Sequence, residues 1–268
     1  MPAEVDPDPS KLRKGWFFRG FRDRYCHGFL RKHFHAVRRS RESAAIPDDG
    51  LPIIVAMNHP SWWDPLICTT LSREFGEREH YGVMDAEMLA RYGFFRWLGV
   101  FGVEGNSLRE AARFLRITTK LLSGTNRVFW ITAQGRFADV RDRPIRLESG
   151  VGHVAARLPD GWILPLAIEY TFWNEKTPEV LLAFGNAIRI GEKTAANGSE
   201  WTERIEDALS LTMDRLAEAV RKRDPKLFVA LVGGRAGTGG VYGLWQRIKS
   251  WSRLRKHQPE HDETNIEV

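Results

Sequence analysis

Apolar positions along the chain follow two rhythms. Leu51–Met57 is a short unbroken apolar run, and a run of strand length without alternation is expected of a strand buried on both faces. His80–Ala86, the glycine-rich Leu98–Gly105, Arg127–Ala133, Trp162–Trp173 and Glu179–Gly185 read as further strands. Helical spacing appears between them. Asp64-Pro65 opens one helix, with Asp as a favoured N-cap and Pro as a favoured first residue, running to about Phe75. Ser107 and Glu110 have capping-box spacing, and Leu108, Ala111, Ala112, Leu115 and Leu122 follow with helical period, predicting a helix over Leu108–Leu122. Val151–Leu158 predicts a turn or two of helix. Trp201–Lys222 predicts a long amphipathic one, with Ile205, Leu209, Met213, Leu216 and Val220 on one stripe. Strands and helices that alternate in this way predict an α/β fold: a mixed, largely parallel sheet flanked by helices, with basic amphipathic helices at both ends of the chain. In such sheets function sits in the loops outside the strand ends. The loops after Met57 and after Ala133 are of that kind.

Charge adds an organisation that hydropathy alone does not show. Between Lys11 and Arg41 there are eleven Lys and Arg residues against one acid, Asp23, within a chain of net charge +6. Val241–Lys256 carries five more basic residues and no acid. Both segments interleave these cations with large aromatics, such as Trp16, Phe21, Tyr25, Trp245 and Trp251. Such a mixture suits an anionic bilayer surface, where cations meet phosphates and rings sit at headgroup depth. Nucleic-acid phosphates would attract the same cations, and helices packed on the body with solvated arginines would look alike in sequence. The aromatic content favours the membrane reading, and no nucleic-acid partner is expected. The expected division is a basic amphipathic N-terminal segment (1–45), a catalytic domain (46–231), a Gly-rich linker (232–240), and a basic helix with a polar tail (241–268). Cys26 and Cys68 have no metal-ligand or redox-motif spacing, which points to a reducing compartment. The N-terminus lacks a secretory pattern, and no window holds the apolar stretch that a spanning helix needs.

The loop after Met57 carries the chemistry. It reads Asn58-His59-Pro60-Ser61-Trp62-Trp63-Asp64. Histidine is the usual general base near neutral pH, and it works best when a carboxylate holds one ring nitrogen. Asp64 can fold back to do this, or it can simply cap the helix; each residue taken alone also has an ordinary structural reading. No G-x-S-x-G nucleophile elbow occurs, which argues against a hydrolase of that type.

An N-H-x4-D sequence after an apolar strand resembles the first motif of the glycerolipid acyltransferases, the lysophosphatidate and glycerol-3-phosphate acyltransferase superfamily. "GVFGVEGNS", "FWITAQGRF" and "ILPLAIEY" follow in the order of that family's later blocks, and the resemblance covers about Pro52 to Ile190. It implies an O-acyltransferase with His59 as general base and Asp64 as its orienting partner. It also implies Asn58, Glu104, Gln134, Gly135, Arg136, Arg141, Arg143 and Pro165 as substrate-binding residues. No cofactor or metal is implied beyond acyl-CoA or acyl carrier protein as co-substrate. The expected partners are the acyl thioester donor, a lipid acceptor and an anionic membrane surface, with the protein peripheral on the cytoplasmic face. Three departures stand out. Gln134 replaces the family's Glu, Arg136 comes one position early with Phe137 in the expected Arg place, and the second block has Glu104 and Asn106 with its nearest cation at Arg109. If the acceptor carries phosphate, Arg136, Arg141, Arg143 or Arg146 is expected to bind it.

Overall fold

The structure is a computed structural model that describes residues 8–105, 107–194 and 196–233. The expected C-terminal basic helix, and the linker beyond Gly233, lie outside these residues. Among the described residues nine strands form one sheet: β1 (Ala36–Ser40), β2 (Ile53–Met57), β3 (His80–Asp85), β4 (Val100–Val103), β5 (Val128–Thr132), β6 (Gly161–Thr171), β7 (Glu179–Phe184), β8 (Ile188–Ile190) and β9 (Phe228–Gly233). Their order is β4-β3-β5-β2-β6-β7-β1-β9, with β8 pairing β6 beside this path. The half from β4 to β6 is parallel, whereas β6/β7, β6/β8 and β1/β9 are antiparallel. The mixed, largely parallel α/β sheet read from the sequence is therefore the fold.

β2 lies in the middle, and its composition explains why. All five of its residues are buried. Ile53, Val55 and Met57 enter the core on one side of the sheet, Ile54 and Ala56 the core on the other, as side chains of period two must. Full burial of each such aliphatic side chain contributes about 1.5–3 kcal/mol. One face is covered by α4 (Asp64–Leu71) and by the N-terminal helices α2 (Gly15–Gly20), a π-helical turn over Phe21–Cys26 and α3 (His27–His33), which run on without a break; α1 (Pro9–Leu12) lies at the β4 edge of the sheet. After α5 (Ala86–Arg91), the opposite face is covered by α6 (Leu108–Leu122), α7 (Gly150–Ala155) and α8 (Gly198–Arg221). The predicted α8 stripe of Ile205, Leu209, Met213, Leu216 and Val220 is buried throughout, and Asn197 with Glu200 completes a capping box at its start.

The N-terminal segment differs from the expectation of a separate amphipathic unit ending at residue 45. Phe18, Cys26 and Leu30 are buried in the body, and β1 sits inside the sheet between β7 and β9. Two cations counted in the basic segment are consumed there: Arg38 pairs with Glu179 at 2.5 Å and Arg39 with Glu74 at 3.1 Å. Both acids lie far away in sequence, so nothing local marks "AVRRS" as a buried strand. At the other end, Val232 and Gly233, assigned to the linker, are the last residues of β9.

Candidate active site

β2 ends where the functional loop begins, and side chains continue the ladder that the backbone leaves. Asn58 is 1% exposed; its amide Nδ2 donates to the Ile168 carbonyl at 2.9 Å, and its Oδ1 accepts from the Ile168 N–H at 2.8 Å. Both ends of the amide are thus spent on β6, and the expectation that Asn58 meets substrate is corrected: it anchors the loop. The backbone of His59 is held from the other side. Its N–H donates to Gln134 Oε1 at 3.0 Å, and its carbonyl accepts from the Ala138 N–H at 3.0 Å. The loop after β5 therefore clamps the loop after β2.

The imidazole is held by Asp64. Nδ1 lies 2.6 Å from Asp64 Oδ2, a charge-assisted distance. Asp64 is fully buried, and it accepts two further bonds: the Tyr170 hydroxyl at 2.7 Å on Oδ1 and the Ser61 N–H at 3.3 Å on Oδ2. A buried carboxylate is tolerable only with such a donor set. The expectation that Asp64 caps α4 is corrected in detail. Trp63 holds the cap position without a side-chain bond, and Asp64 is the first helical residue, its carboxylate turned to His59. There it still lies in the first turn, where negative charge suits the helix dipole. With Nδ1–H given to Asp64, Nε2 carries the lone pair, and it makes no hydrogen bond among the described residues. The His59 side chain is 18% exposed.

Tyr170 was missed in the sequence. Its phenol is pushed well above its ordinary range, first by burial and then by the Asp64 charge, so it remains a donor throughout the physiological range. The available signal was weak: one hydroxyl on the same face of β6 as Leu164, Leu166 and Ile168. Phe137 was also missed as a neighbour. Its ring packs 4.4 Å from the imidazole while staying 60% exposed.

The remaining expected residues divide. Gln134 is buried and holds His59 by its amide oxygen, a task that needs no charge. Gly135 makes the tight turn with φ +65°; a Cβ there would lie 2.6 Å from Glu148 Cγ. Arg136 is exposed and makes no ion pair among the described residues. The other loop arginines have partners. Arg141 forks onto Asp139 at 2.8 and 2.6 Å, Arg143 binds Asp214 of α8 at 3.1 and 2.6 Å, and Arg146 lies 3.9 Å from Glu206. These bonds tie the loop to itself and to α8, so Arg141 and Arg143 are not presented as open phosphate ligands. Pro165 stands beside Ala56 in the sheet interior. Its carbonyl accepts from Gly185, so its missing N–H points to the gap where β8 pairing has stopped and β7 pairing has not begun. Its role is thus in the strand. Glu104 follows β4, which β3 and β5 separate from β2; it is exposed and not part of the pair's surroundings.

Next to the pair an apolar cleft runs down the sheet. Met57, Pro65, Cys68 and Thr132 line it near the strand ends, and Trp130 and His80 line it further down the strands. A partly exposed base with a buried carboxylate behind it and an apolar cleft beside it suits proton removal from a hydroxyl that attacks a group with a hydrocarbon tail. A family model described as Acyltransferase matches residues 33–169, about half of the chain. The chain belongs to the acyltransferase family. The matched span begins before β1 and contains His59, Asp64 and Gln134; Tyr170 lies one residue beyond it. No curated protein matches this acyltransferase.

Proposed function

We propose that this acyltransferase moves a fatty acyl group from an acyl thioester, carried by CoA or acyl carrier protein, to a hydroxyl of a lysophospholipid or related lipid. The observation that carries the reading is the His59–Asp64 contact of 2.6 Å with the second ring nitrogen unbonded. In the reaction, His59 Nε2 takes the proton of the acceptor hydroxyl as its oxygen attacks the thioester carbonyl carbon. Asp64, steadied by Tyr170, stabilises the imidazolium that forms. The C–S bond then breaks, and the imidazolium returns the proton to the leaving thiolate. No covalent acyl-enzyme is needed. The apolar cleft receives the acyl chain.

Docking on an anionic membrane surface supplies the lipid. Support comes from a chain of aromatic contacts from Trp97 through Phe17, Phe21, Tyr25 and Phe29 to Trp63 and Trp62, which lie within the active-site loop. Trp16, Tyr25, Trp62 and Trp97 along it are 67%, 51%, 58% and 41% exposed, an extent of open aromatic surface that water does not favour. Exposed Arg24, Arg31 and Lys32 lie on the same N-terminal helices. Among the described residues no helix is long and apolar enough to cross a membrane.

The test is mass spectrometry of lipid products with labelled acyl-CoA and acyl carrier protein as donors, comparing wild type with His59→Ala. General-base loss lowers turnover about 10²–10⁴-fold; equal turnover in the variant refutes the assignment. Flotation with vesicles reads the docking, which fails as an electrostatic proposal if neutral and anionic vesicles bind equally.

A further inference from the structure

Phe137 is fixed against the imidazole by bonds on both sides of it in the chain. Three residues before it, Gln134 Oε1 accepts from the His59 N–H at 3.0 Å; one residue after it, the Ala138 N–H donates to the His59 carbonyl at 3.0 Å. Gly135 turns the chain between these bonds with φ +65°. The Phe137 ring therefore stands 4.4 Å from the imidazole, tilted 37° to it, and stays open to solvent. It takes no part in the wall of the apolar cleft, which Met57, Pro65, Cys68 and Thr132 line near the strand ends. A hydroxyl that gives its proton to His59 Nε2 sits about 3 Å from that nitrogen. The groups next to that hydroxyl then lie alongside the Phe137 ring.

Charge around the ring points the same way. Residues 134–148 carry Arg136, Arg141, Arg143 and Arg146 together with Asp139, Asp142 and Glu148. Arg141 is paired with Asp139, Arg143 with Asp214, and Arg146 lies 3.9 Å from Glu206, the last two acids coming from α8. Glu148 lies against Gly135, two residues from Phe137. Five carboxylates thus stand against four guanidiniums, and Asp64 behind His59 adds a sixth. A phosphate monoester next to the reacting hydroxyl would bring about 1.5–2 further negative charges to a place with no positive excess. It would also bring them to a ring whose face is itself electronegative. Hydrocarbon beside the hydroxyl suits the same ring, because it removes apolar surface from water.

We propose that Phe137 is a specificity-determining residue. Its ring selects an acceptor with no phosphate beside the reacting hydroxyl, a neutral hydroxy lipid such as a monoacylglycerol, over a lysophosphatidate. This rests on the acyl transfer proposed above and narrows its acceptor. A guanidinium in place of the ring would offer phosphate a fork of donors and reverse the preference.

Competition between the two acceptors in one micelle tests the assignment. A monoacylglycerol and a lysophosphatidate of the same acyl chain are mixed in equal amounts, with labelled acyl-CoA or acyl carrier protein as donor. Both acceptors then share one surface charge, and the ratio of initial product rates reads their relative kcat/KM. The wild type favours the monoacylglycerol at least tenfold. Phe137→Arg moves the ratio at least tenfold toward lysophosphatidate, as one gained charge-assisted hydrogen bond does. Leu211→Arg adds the same charge at an exposed position of α8 and leaves the ratio within about twofold. His59→Ala in the same mixture separates this inference from the reaction on which it rests. Transfer that needs His59 but favours lysophosphatidate, or shows no preference, overturns the acceptor assignment and leaves the reaction standing. A ratio unmoved by Phe137→Arg, or moved equally by Leu211→Arg, overturns the role of Phe137. Transfer to neither lipid overturns the reaction and the acceptor assignment together.

Discussion

Mild acid is expected to weaken the fold through His80, at the bottom of the apolar cleft. This imidazole is 3% exposed, and its Nδ1 accepts the Trp130 indole N–H at 3.0 Å. Phe18 stacks on it at 5.6 Å, with the rings nearly parallel. Burial, followed by the positive charges of Arg13, Arg22 and Arg78, pushes its pKa down from the ordinary 6.5 to about 3, against a smaller opposing effect of the Ser72 carbonyl. The unfolded chain therefore binds a proton at this residue below about pH 6.5, while the folded chain does not until about pH 3. Stability from this site is complete above 6.5 and is lost as pH falls through that window, by up to about 1.4 kcal/mol per pH unit. By pH 5 the loss is about 2 kcal/mol. Protonation would also set an N–H against the Trp130 N–H. Urea unfolding followed by circular dichroism, at pH 7.5 and pH 5, reads the effect against His80→Gln, whose amide oxygen can still accept from Trp130 but does not titrate. Other groups titrate in both proteins, so the difference between them isolates His80. The stability advantage of wild type over His80→Gln shrinks by about 2 kcal/mol between the two pH values. Parallel pH dependence in the two proteins would refute the argument.

Three further outcomes follow from packing at and around the site. Tyr170→Phe removes one donor from the buried Asp64 carboxylate, costing about 1.5–3 kcal/mol in thermal or urea unfolding and lowering turnover less than His59→Ala does. Asn58→Leu strands the Ile168 N–H and carbonyl in the core; a loss of about 2 kcal/mol or more in urea unfolding is expected, with turnover falling as the loop loosens. Gly152→Ala pushes a methyl group onto the Gly198 carbonyl and the Thr202 hydroxyl where α7 meets α8, and the expected cost in the same assay is about 1–3 kcal/mol.

Elements whose pattern is local were legible from residues alone. The unbroken run of β2, the period of α6 after Ser107 and the stripe of α8 each encode their burial within a few turns or residues, so their positions agree with the structure to within a few residues. β1 was not legible, because its arginines are neutralised by Glu179 and Glu74 from other elements, and β8 is too short to carry a period. At the site, His59 and Asp64 stand five residues apart, so a short loop can join them and the pair was readable. Tyr170 reaches the same carboxylate from 106 residues away, and Gln134 reaches the His59 backbone from 75. Only the sheet order, which sets β5 and β6 on either side of β2, brings those partners in. The arginine loop shows the same division. Its composition promised free cations, but tertiary contacts decide which charges have partners, and the carboxylates of Asp139 and Asp214 occupy Arg141 and Arg143. The sequence by itself thus determined the strand–helix alternation and the His59–Asp64 pair, since both follow from neighbours along the chain. The tertiary structure decided which groups hold that pair and where hydrocarbon can lie beside it, because each of these depends on residues that meet only when the sheet closes.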